Sequence, residues 1–306
     1  MLHLSRDGGR AQNRTTYGVV KRGKGRWMNR KLLFLGFVVA LLVPASAVAV
    51  WGGPVDEAHP QVGAMYFDFE GNGQPVIAGG VCSGSFAGES KDGLHDVFLT
   101  AGHCMPPPEL RIEPGDLYVS FGSNATAGST SDPIEDPIQV EAFFQMPGFG
   151  HDLGDAHDLG VLLLPKGSVP GSIAPVRLAP AGYLDSLKAQ GTLKFLTVDA
   201  VGYGAIPDWD SPGPTTFSTD GKRRSGTLVV TGLTKSTLRF NQNPNGIGSG
   251  SGLCFGDSGS PQLAAGTLMV VSVTNGGNGQ CNSVNYNYRV DTPQARGFLG
   301  QFLRLP

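Results

Sequence analysis

Short runs of β-forming residues, separated by Gly, Pro, Asn and Asp, recur along this chain and constrain its fold most strongly. They fall into two groups: DVFLTAGHC (96–104), LYVSFG (117–122), PIQVEAFFQ (137–145) and LGVLLLP (159–165), then TLKFLTVDAVGYG (192–204), GTLVVTGL (226–233), STLRFN (236–241) and TLMVVSVT (267–274). Glycine (46 residues) and proline (22) are abundant and only 16% of residues are charged, which favours turn-rich β structure. We therefore expect two all-β lobes, as barrels or sandwiches.

One segment favours a helix instead. PQARGFLGQFL (293–303) places Phe298, Leu299, Phe302 and Leu303 on one side of a helix. A C-terminal helix is therefore predicted to follow the second lobe.

The first 49 residues are typical of a targeting segment. A basic region is followed by an apolar run (32–43), Pro44 and the small-residue string ASAVA (45–49). This order predicts a signal peptide and a secreted protein, with Met28 as a candidate start. An N-terminal membrane anchor is the alternative, disfavoured because the apolar run is short for a bilayer. After signal removal we expect no membrane association.

Charge argues against nucleic acid as a partner. The first 47 residues hold nine of the 23 Lys and Arg residues and one of the 25 acidic residues, which leaves 14 basic and 24 acidic residues in the remainder. Phosphate backbones reward positive patches, so a domain this acidic is a poor candidate. The cluster Lys222-Arg223-Arg224 is expected to be a solvated turn.

Four cysteines, Cys82, Cys104, Cys254 and Cys281, occur without a CxxC pair. In an exported chain they favour disulfides over zinc, and three pairings are possible. The histidine spacing does not indicate a metal site, and we expect neither a metal nor another cofactor.

Three polar residue types in a fixed order indicate nucleophilic catalysis. His103 ends LTAGH, aspartates follow in HDLGDAHDLG (151–160), and Ser258 lies within GDSGSP. A serine hydroxyl is a weak nucleophile, so it needs a neutral imidazole to accept its proton. The imidazole in turn needs a buried carboxylate to fix its tautomer.

With these motifs the chain resembles the secreted chymotrypsin/trypsin family of serine proteases, from about Val50 to the C-terminal helix. The resemblance implies two six-stranded antiparallel β-barrels, at about 50–172 and 173–292, and a helix at about 293–303. It also implies a monomeric endopeptidase that cleaves polypeptides through an acyl-enzyme intermediate.

The family's aspartate opens a hydrophobic strand, and this selects Asp158, which begins DLGVLLL, over Asp152, which is followed by LGDAHD. The implied triad is therefore His103, Asp158 and Ser258. Of the remaining polar residues in this stretch, His151, Asp152 and Asp155 could bind a cation, but a solvated turn is the favoured interpretation.

The resemblance assigns further residues. It implies disulfides Cys82–Cys104 and Cys254–Cys281. It also implies an oxyanion hole built from the backbone N–H groups of Gly256 and Ser258, where glycine tolerates the required backbone conformation.

In the family, the residue six before the nucleophile lies at the base of the primary specificity pocket, and an aspartate there selects Arg or Lys. Gly252 occupies that position, and Ser272, Val273 and Thr274 match the pocket wall. Cleavage after small or medium uncharged residues is therefore expected.

Activation is the last property that the resemblance implies. Val50-Trp51-Gly52-Gly53 matches the family's mature N-terminus, whose α-ammonium pairs with the aspartate before the nucleophile, here Asp257. Cleavage after Ala49 would expose Val50 directly, whereas cleavage after Ala47 would require a second trimming step or another cation. Trp51 departs from the usual aliphatic residue.

Two other functions are weighed. An α/β-hydrolase esterase requires the order Ser, acid, His and alternating β/α patterning, neither of which occurs here. A protease-like binding protein without catalysis remains an alternative, since Ser260 replaces the family's second glycine after the nucleophile. A purely structural protein would leave the three motifs unexplained.

Overall fold

The computed structural model describes residues 50–68, 82–125, 134–150, 155–246 and 250–306. The predicted targeting segment (1–49) lies outside these residues. Within the described ranges, no helix has the length and apolar character that a membrane span requires.

The first lobe is a seven-stranded antiparallel sheet in the order β5-β4-β1-β2-β3-β7-β6. Its strands are β1 (Val62–Phe67), β2 (Cys82–Glu89), β3 (His95–Thr100), β4 (Leu117–Ser120), β5 (Ile138–Gln139), β6 (Ala142–Gln145) and β7 (Gly160–Pro165). Consecutive residues of β3 and β7 are fully buried, and the apolar core includes Phe98, Leu162 and Leu164. Among the described residues no pairing closes this sheet, so the first lobe is a half-barrel and not the closed six-stranded barrel that the resemblance implies.

The second lobe is a closed six-stranded barrel, because β14 pairs with both β9 and β15. The strands of this lobe are β8 (Arg177–Leu178), β9 (Thr197–Gly202), β10 (Ile206–Asp208), β11 (Thr216–Ser218), β12 (Arg224–Leu233), β13 (Thr237–Asn241), β14 (Pro261–Ala264), β15 (Met269–Gly277) and β16 (Val284–Arg289). Strand β8 adds to β15 in parallel, and β10 and β11 form a separate hairpin.

The predicted C-terminal helix is confirmed, although it is shorter than expected. Helix α2 spans Pro293–Leu299; Thr292 caps it by accepting a hydrogen bond from the N–H of Ala295, and Pro293 at the first position needs no donor. A second helix, α1 (Tyr183–Ala189), follows a stretch rich in Pro, Gly and Ala (165–182) and was not predicted. The all-β fold class with a terminal helix is thus confirmed.

The Lys222-Arg223-Arg224 cluster is not a solvated turn, so that prediction was wrong for two of its residues. Arg223 and Arg224 are buried, at 2% and 4% exposure. Arg223 donates to the carbonyls of Val62 and Phe121 in the first lobe and lies 3.6 Å from Asp56. Burial raises the pKa of Asp56, but hydrogen bonds from His59 and Ser225 outweigh it and bring that pKa down to about 2. This charged cluster ties the N-terminal segment to both lobes.

Candidate active site

His103 and Asp158 are in direct contact. Oδ1 of Asp158 accepts a hydrogen bond from the backbone N–H of His103 at 2.7 Å. Oδ2 of the same carboxylate lies 2.8 Å from the ring Nδ1 of His103. Asp158 is buried at 1% exposure, whereas the His103 side chain is 31% exposed. One edge of the imidazole is therefore fixed by a buried carboxylate while the other faces outward.

The first lobe creates this contact through strand pairing. Thr100 at the end of β3 pairs with Gly160 at the start of β7. The chain then forms a short 3-10 helix, Gly102–Cys104, which presents His103 beside Asp158. Gly102 packs closely here, because a Cβ at this position would lie 3.1 Å from Asp158 Oδ1 and the carboxylate would have to shift to accept it.

Ser258 comes from the second lobe and is anchored to the first. Its carbonyl accepts a hydrogen bond from the N–H of Ser83 at 2.7 Å, and Ser83 follows the disulfide-bonded Cys82. Gly259 has φ +81 and packs closely on Thr100. A Cβ added to Gly259 would lie 2.0 Å from Oγ1 of Thr100. Within the described residues, the Ser258 hydroxyl makes no hydrogen bond, and it is not bonded to His103 Nε2. Such contacts are often long in the absence of substrate.

Two backbone N–H groups are unpaired beside Ser258. Neither the N–H of Gly256 nor that of Ser258 donates a hydrogen bond within the described residues. Gly256 adopts φ +98, which glycine tolerates, and its carbonyl is held by Ser83 Oγ at 2.8 Å. Two unpaired donors in one tight turn can accept an anion. Sequence reasoning did not identify Ser83, because only its contact with Gly256 distinguishes it from other serines.

Asp257 lies between these two residues and is completely buried. Its oxygens accept hydrogen bonds from the backbone N–H groups of Gly204 and Cys254, both at 2.9 Å. Burial outweighs these bonds and raises the pKa of Asp257 to about 7. No cationic side chain among the described residues forms an ion pair with it.

The segment 50–53 packs against the loop that precedes Ser258. Val50 is fully buried, and Trp51 forms an isolated antiparallel bridge with Gly252. The Trp51 indole covers Gly252, because a Cβ there would lie 2.4 Å from Nε1 of the ring, and it packs edge-on against Trp209 at 4.9 Å between centroids.

A cavity of about 240 Å³ opens beside Ser258. Of the four residues predicted to bind substrate, Thr274 lines this cavity. The other three do not line it, so the prediction that they form the wall of this cavity was wrong. Ser272 and Val273 are buried in the barrel at 0% and 1% exposure, and Gly252 lies beneath Trp51. The wall continues instead from Thr274 through Asn275, Gly276, Gly277, Asn278 and Gly279.

The Ser260 side chain, which departs from the family pattern, is accommodated by hydrogen bonding. It is fully buried, and its Oγ lies 2.8 Å from Oγ1 of Thr274. Gln262 Nε2 donates to the same Thr274 oxygen at 2.7 Å. The extra hydroxyl therefore has a partner behind the site.

Both implied disulfides are present. Cys82 is bonded to Cys104 and Cys254 to Cys281. His103 lies within 4.8 Å of the first bridge, but cysteines in a disulfide have no thiolate to offer a metal. The bridges instead fix the strand beside His103 and the loop around the cavity.

Asp155, expected in a solvated turn, is buried at 5% exposure, so that expectation was wrong for this residue. It accepts a hydrogen bond from the Tyr288 hydroxyl at 2.7 Å, and burial together with this bond raises the pKa of Tyr288 well above its usual range. The other two members of the proposed cation turn, His151 and Asp152, lie outside the described residues.

Comparisons with known proteins agree with this geometry. A family model described as Trypsin matches residues 71–296, well over half of the chain. The chain belongs to the trypsin family. Among solved structures, one described as HL collagenase superposes with a TM-score of 0.53 at 16% identity, covering 81% of this chain and 95% of that chain. At this identity the similarity shows the fold, which is trypsin-like. No curated protein sequence matches the chain.

Membership of the trypsin family makes this chain a serine endopeptidase that acts on polypeptides. In the sequence, the signal for this assignment was the chain order His, Asp, Ser. The three residues lie in loops and at the ends of β-strands.

Proposed function

We propose that the chain is a secreted serine endopeptidase whose catalytic triad is His103, Asp158 and Ser258. The observation that carries the proposal is the double contact of the buried Asp158 with His103, beside a serine loop with two unpaired N–H groups. Such a combination suits acyl transfer, which needs a base, a nucleophile and an anion site together.

The steps follow from these groups. Asp158 holds the His103 Nδ1 proton, so that Nε2 is free to accept the proton of the Ser258 hydroxyl as Oγ attacks the peptide carbonyl. The carbonyl oxygen becomes negative and accepts hydrogen bonds from the N–H groups of Gly256 and Ser258. His103 then gives the proton to the leaving amine, and water repeats the sequence on the acyl-enzyme, which releases the second product.

The activation proposal concerns Val50 and Asp257. A buried carboxylate without a partner is costly, and Asp257 has only backbone donors. A new α-ammonium at Val50 would supply the missing cation, and the bridge between Trp51 and Gly252 holds this segment beside the Ser258 loop. Removal of residues 1–49 on export would then activate the enzyme. The N-terminal sequence of the mature, active protein tests this proposal.

Specificity for uncharged side chains is proposed from the cavity beside Ser258. Its lining contains no charged side chain among the described residues, so a lysine or arginine of the substrate would lose its hydration without gaining a counter-ion. Secretion is supported by the two disulfides, which persist in oxidising compartments.

Hydrolysis of an unfolded protein substrate tests the catalytic proposal. The mature chain should degrade it, and Ser258→Ala should abolish degradation. A chain that binds the substrate without hydrolysing it would support the alternative of a protease-like binding protein.

A further inference from the structure

The cavity beside Ser258 contains a buried amide with unsatisfied hydrogen bonding. Asn285, on β16, lines the cavity and is only 2% exposed. Its Oδ1 is buried without a hydrogen-bond partner among the described residues. An unpaired buried acceptor is costly, so a ligand that donates a hydrogen bond to it binds more tightly.

A second buried amide lies against the same wall. Gln242 is completely buried; its Oε1 accepts a hydrogen bond from the N–H of Leu253 at 2.9 Å, and its Nε2 has no partner among the described residues. A Cβ on Gly277, which lines the cavity, would lie 3.3 Å from Asn285 Nδ2 and 3.4 Å from Gln242 Nε2. The wall at Gly277 is therefore backed by two amide groups.

These groups call for a particular ligand chemistry. The Asn285 amide, which lines the cavity, carries an unpaired acceptor, Oδ1, and the donor group Nδ2, and it therefore complements a ligand group that both donates and accepts. A primary carboxamide does both, and it suits either orientation of the Asn285 amide. A carboxylate cannot donate and would bring a charge that no side chain of the lining balances, a guanidinium cannot accept, and an aliphatic chain would leave the amides unpaired.

We propose that this cavity binds a carboxamide side chain, and that the enzyme cleaves preferentially after glutamine. The inference rests on the proposed catalytic function and narrows its substrate class. Asn285 forms the selective contact, and Gln242 supports it from behind Gly277.

Hydrolysis of matched fluorogenic peptides tests the proposal directly. The residue before the scissile bond would be Gln, Met, Glu or Arg, and the concentration of active enzyme would be titrated with a serine-directed fluorophosphonate. Methionine is the control, because it has similar length and no amide. We expect kcat/KM for Gln to exceed that for Met, Glu and Arg by at least about 10-fold. Equal or better hydrolysis after Met or Glu overturns the inference.

Two substitutions of Asn285 test whether this residue causes the preference for Gln. Asn285→Leu keeps the side-chain shape but removes the amide, and it should lower the Gln-to-Met ratio to about 1. Asn285→Asp should raise kcat/KM for Arg relative to Gln by at least about 10-fold, because it places a carboxylate in the wall. The matched control is Tyr286→Phe, the next residue of β16, which is 38% exposed and should leave the ratio unchanged.

The results also separate this inference from the proposed function. If Ser258 is labelled by the fluorophosphonate but Gln has no advantage, or if Asn285→Leu leaves the ratio unaltered, only the inference fails. If Ser258 is not labelled and no peptide is hydrolysed, the proposed function fails and the inference falls with it.

Discussion

Asp158 holds His103 at two points, the backbone N–H and the ring Nδ1, with one carboxylate oxygen for each. The two contacts fix both the position of the histidine on its 3-10 turn and the rotation of its ring. A carboxylate at 1% exposure can do this because both of its oxygens have donors.

Replacement of Asp158 by Asn should therefore impair catalysis more than folding. An amide can donate to Nδ1 and so favours the tautomer that carries its proton on Nε2, which cannot act as a base. We expect kcat to fall by about 10⁴-fold. Steady-state kinetics on a peptide amide measure this effect. Asp152→Asn is the control and should have little effect on kcat. If Asp152→Asn lowered kcat strongly and Asp158→Asn did not, Asp152 and not Asp158 would be the triad aspartate.

The Ser83 hydroxyl should contribute to the anion site through Gly256. It donates to the Gly256 carbonyl and accepts from the N–H of Tyr203, so Ser83→Ala releases the carbonyl of Gly256, the residue whose N–H is one of the two proposed anion-binding groups. The loss of a buried hydrogen bond, about 1–3 kcal/mol, predicts a fall in kcat of roughly 10-fold or more with a smaller change in KM.

Ser85 provides the matched control for this experiment. It is also fully buried on β2, but its Oγ has no hydrogen-bond partner among the described residues. Ser85→Ala should leave kcat unaltered. Equal effects of the two substitutions would mean that Ser83 acts only through packing.

Trp51 should make position 252 intolerant of any side chain. Because a Cβ at Gly252 would lie 2.4 Å from the Trp51 ring, Gly252→Ala should lower the free energy of unfolding by about 1–3 kcal/mol. Adding Trp51→Leu should remove most of that cost, so that the two effects are not additive. Gly250→Ala is the control, since apart from its chain neighbours no atom of the described residues lies within 4 Å of a Cβ there. Urea unfolding of the four variants measures this coupling; simple additivity would contradict it.

Asp257 should make the uncut chain sensitive to pH. Burial raises its pKa from 3.8 to about 7, so between these values the folded chain binds more protons than the unfolded chain. The free energy of unfolding should therefore fall as pH rises from about 4 to about 7. Asp257→Asn should abolish this component, which urea unfolding at several pH values would measure in the inactive Ser258→Ala background.

Pairing with a new N-terminus should reverse that behaviour. In a chain that begins at Val50, the α-ammonium would stabilise the carboxylate, lower its pKa and remove the loss of stability towards pH 7. One residue added before Val50 should restore the loss. Identical pH profiles for the uncut chain, the chain beginning at Val50 and Asp257→Asn would exclude the pairing.

The sequence was sufficient to predict features that depend on local pattern. The strands around Phe98 and Leu162 follow from β-forming residues between turn residues, and the C-terminal helix follows from its apolar side. Strand β1 was missed, because Gly63 interrupts its short apolar run.

The pocket could not be predicted from the sequence, because it depends on contacts between distant segments. Ser272 and Val273 match a family motif, but both are buried where β15 pairs with β14 and β16, and neither lines the cavity. Asn285 contacts the cavity only through the pairing of β16 with β15 opposite Gly277. Arg223 resembles a surface charge in the sequence and is buried by partners more than 100 residues away.

The most direct test of the catalytic account is the reaction of Ser258 with a fluorophosphonate, followed by mass spectrometry of the labelled peptide. The mature wild-type protein should carry a single phosphonate on Ser258, and His103→Ala should react orders of magnitude more slowly because the hydroxyl has lost its base. Labelling elsewhere, or equal rates for the wild type and His103→Ala, would contradict the account.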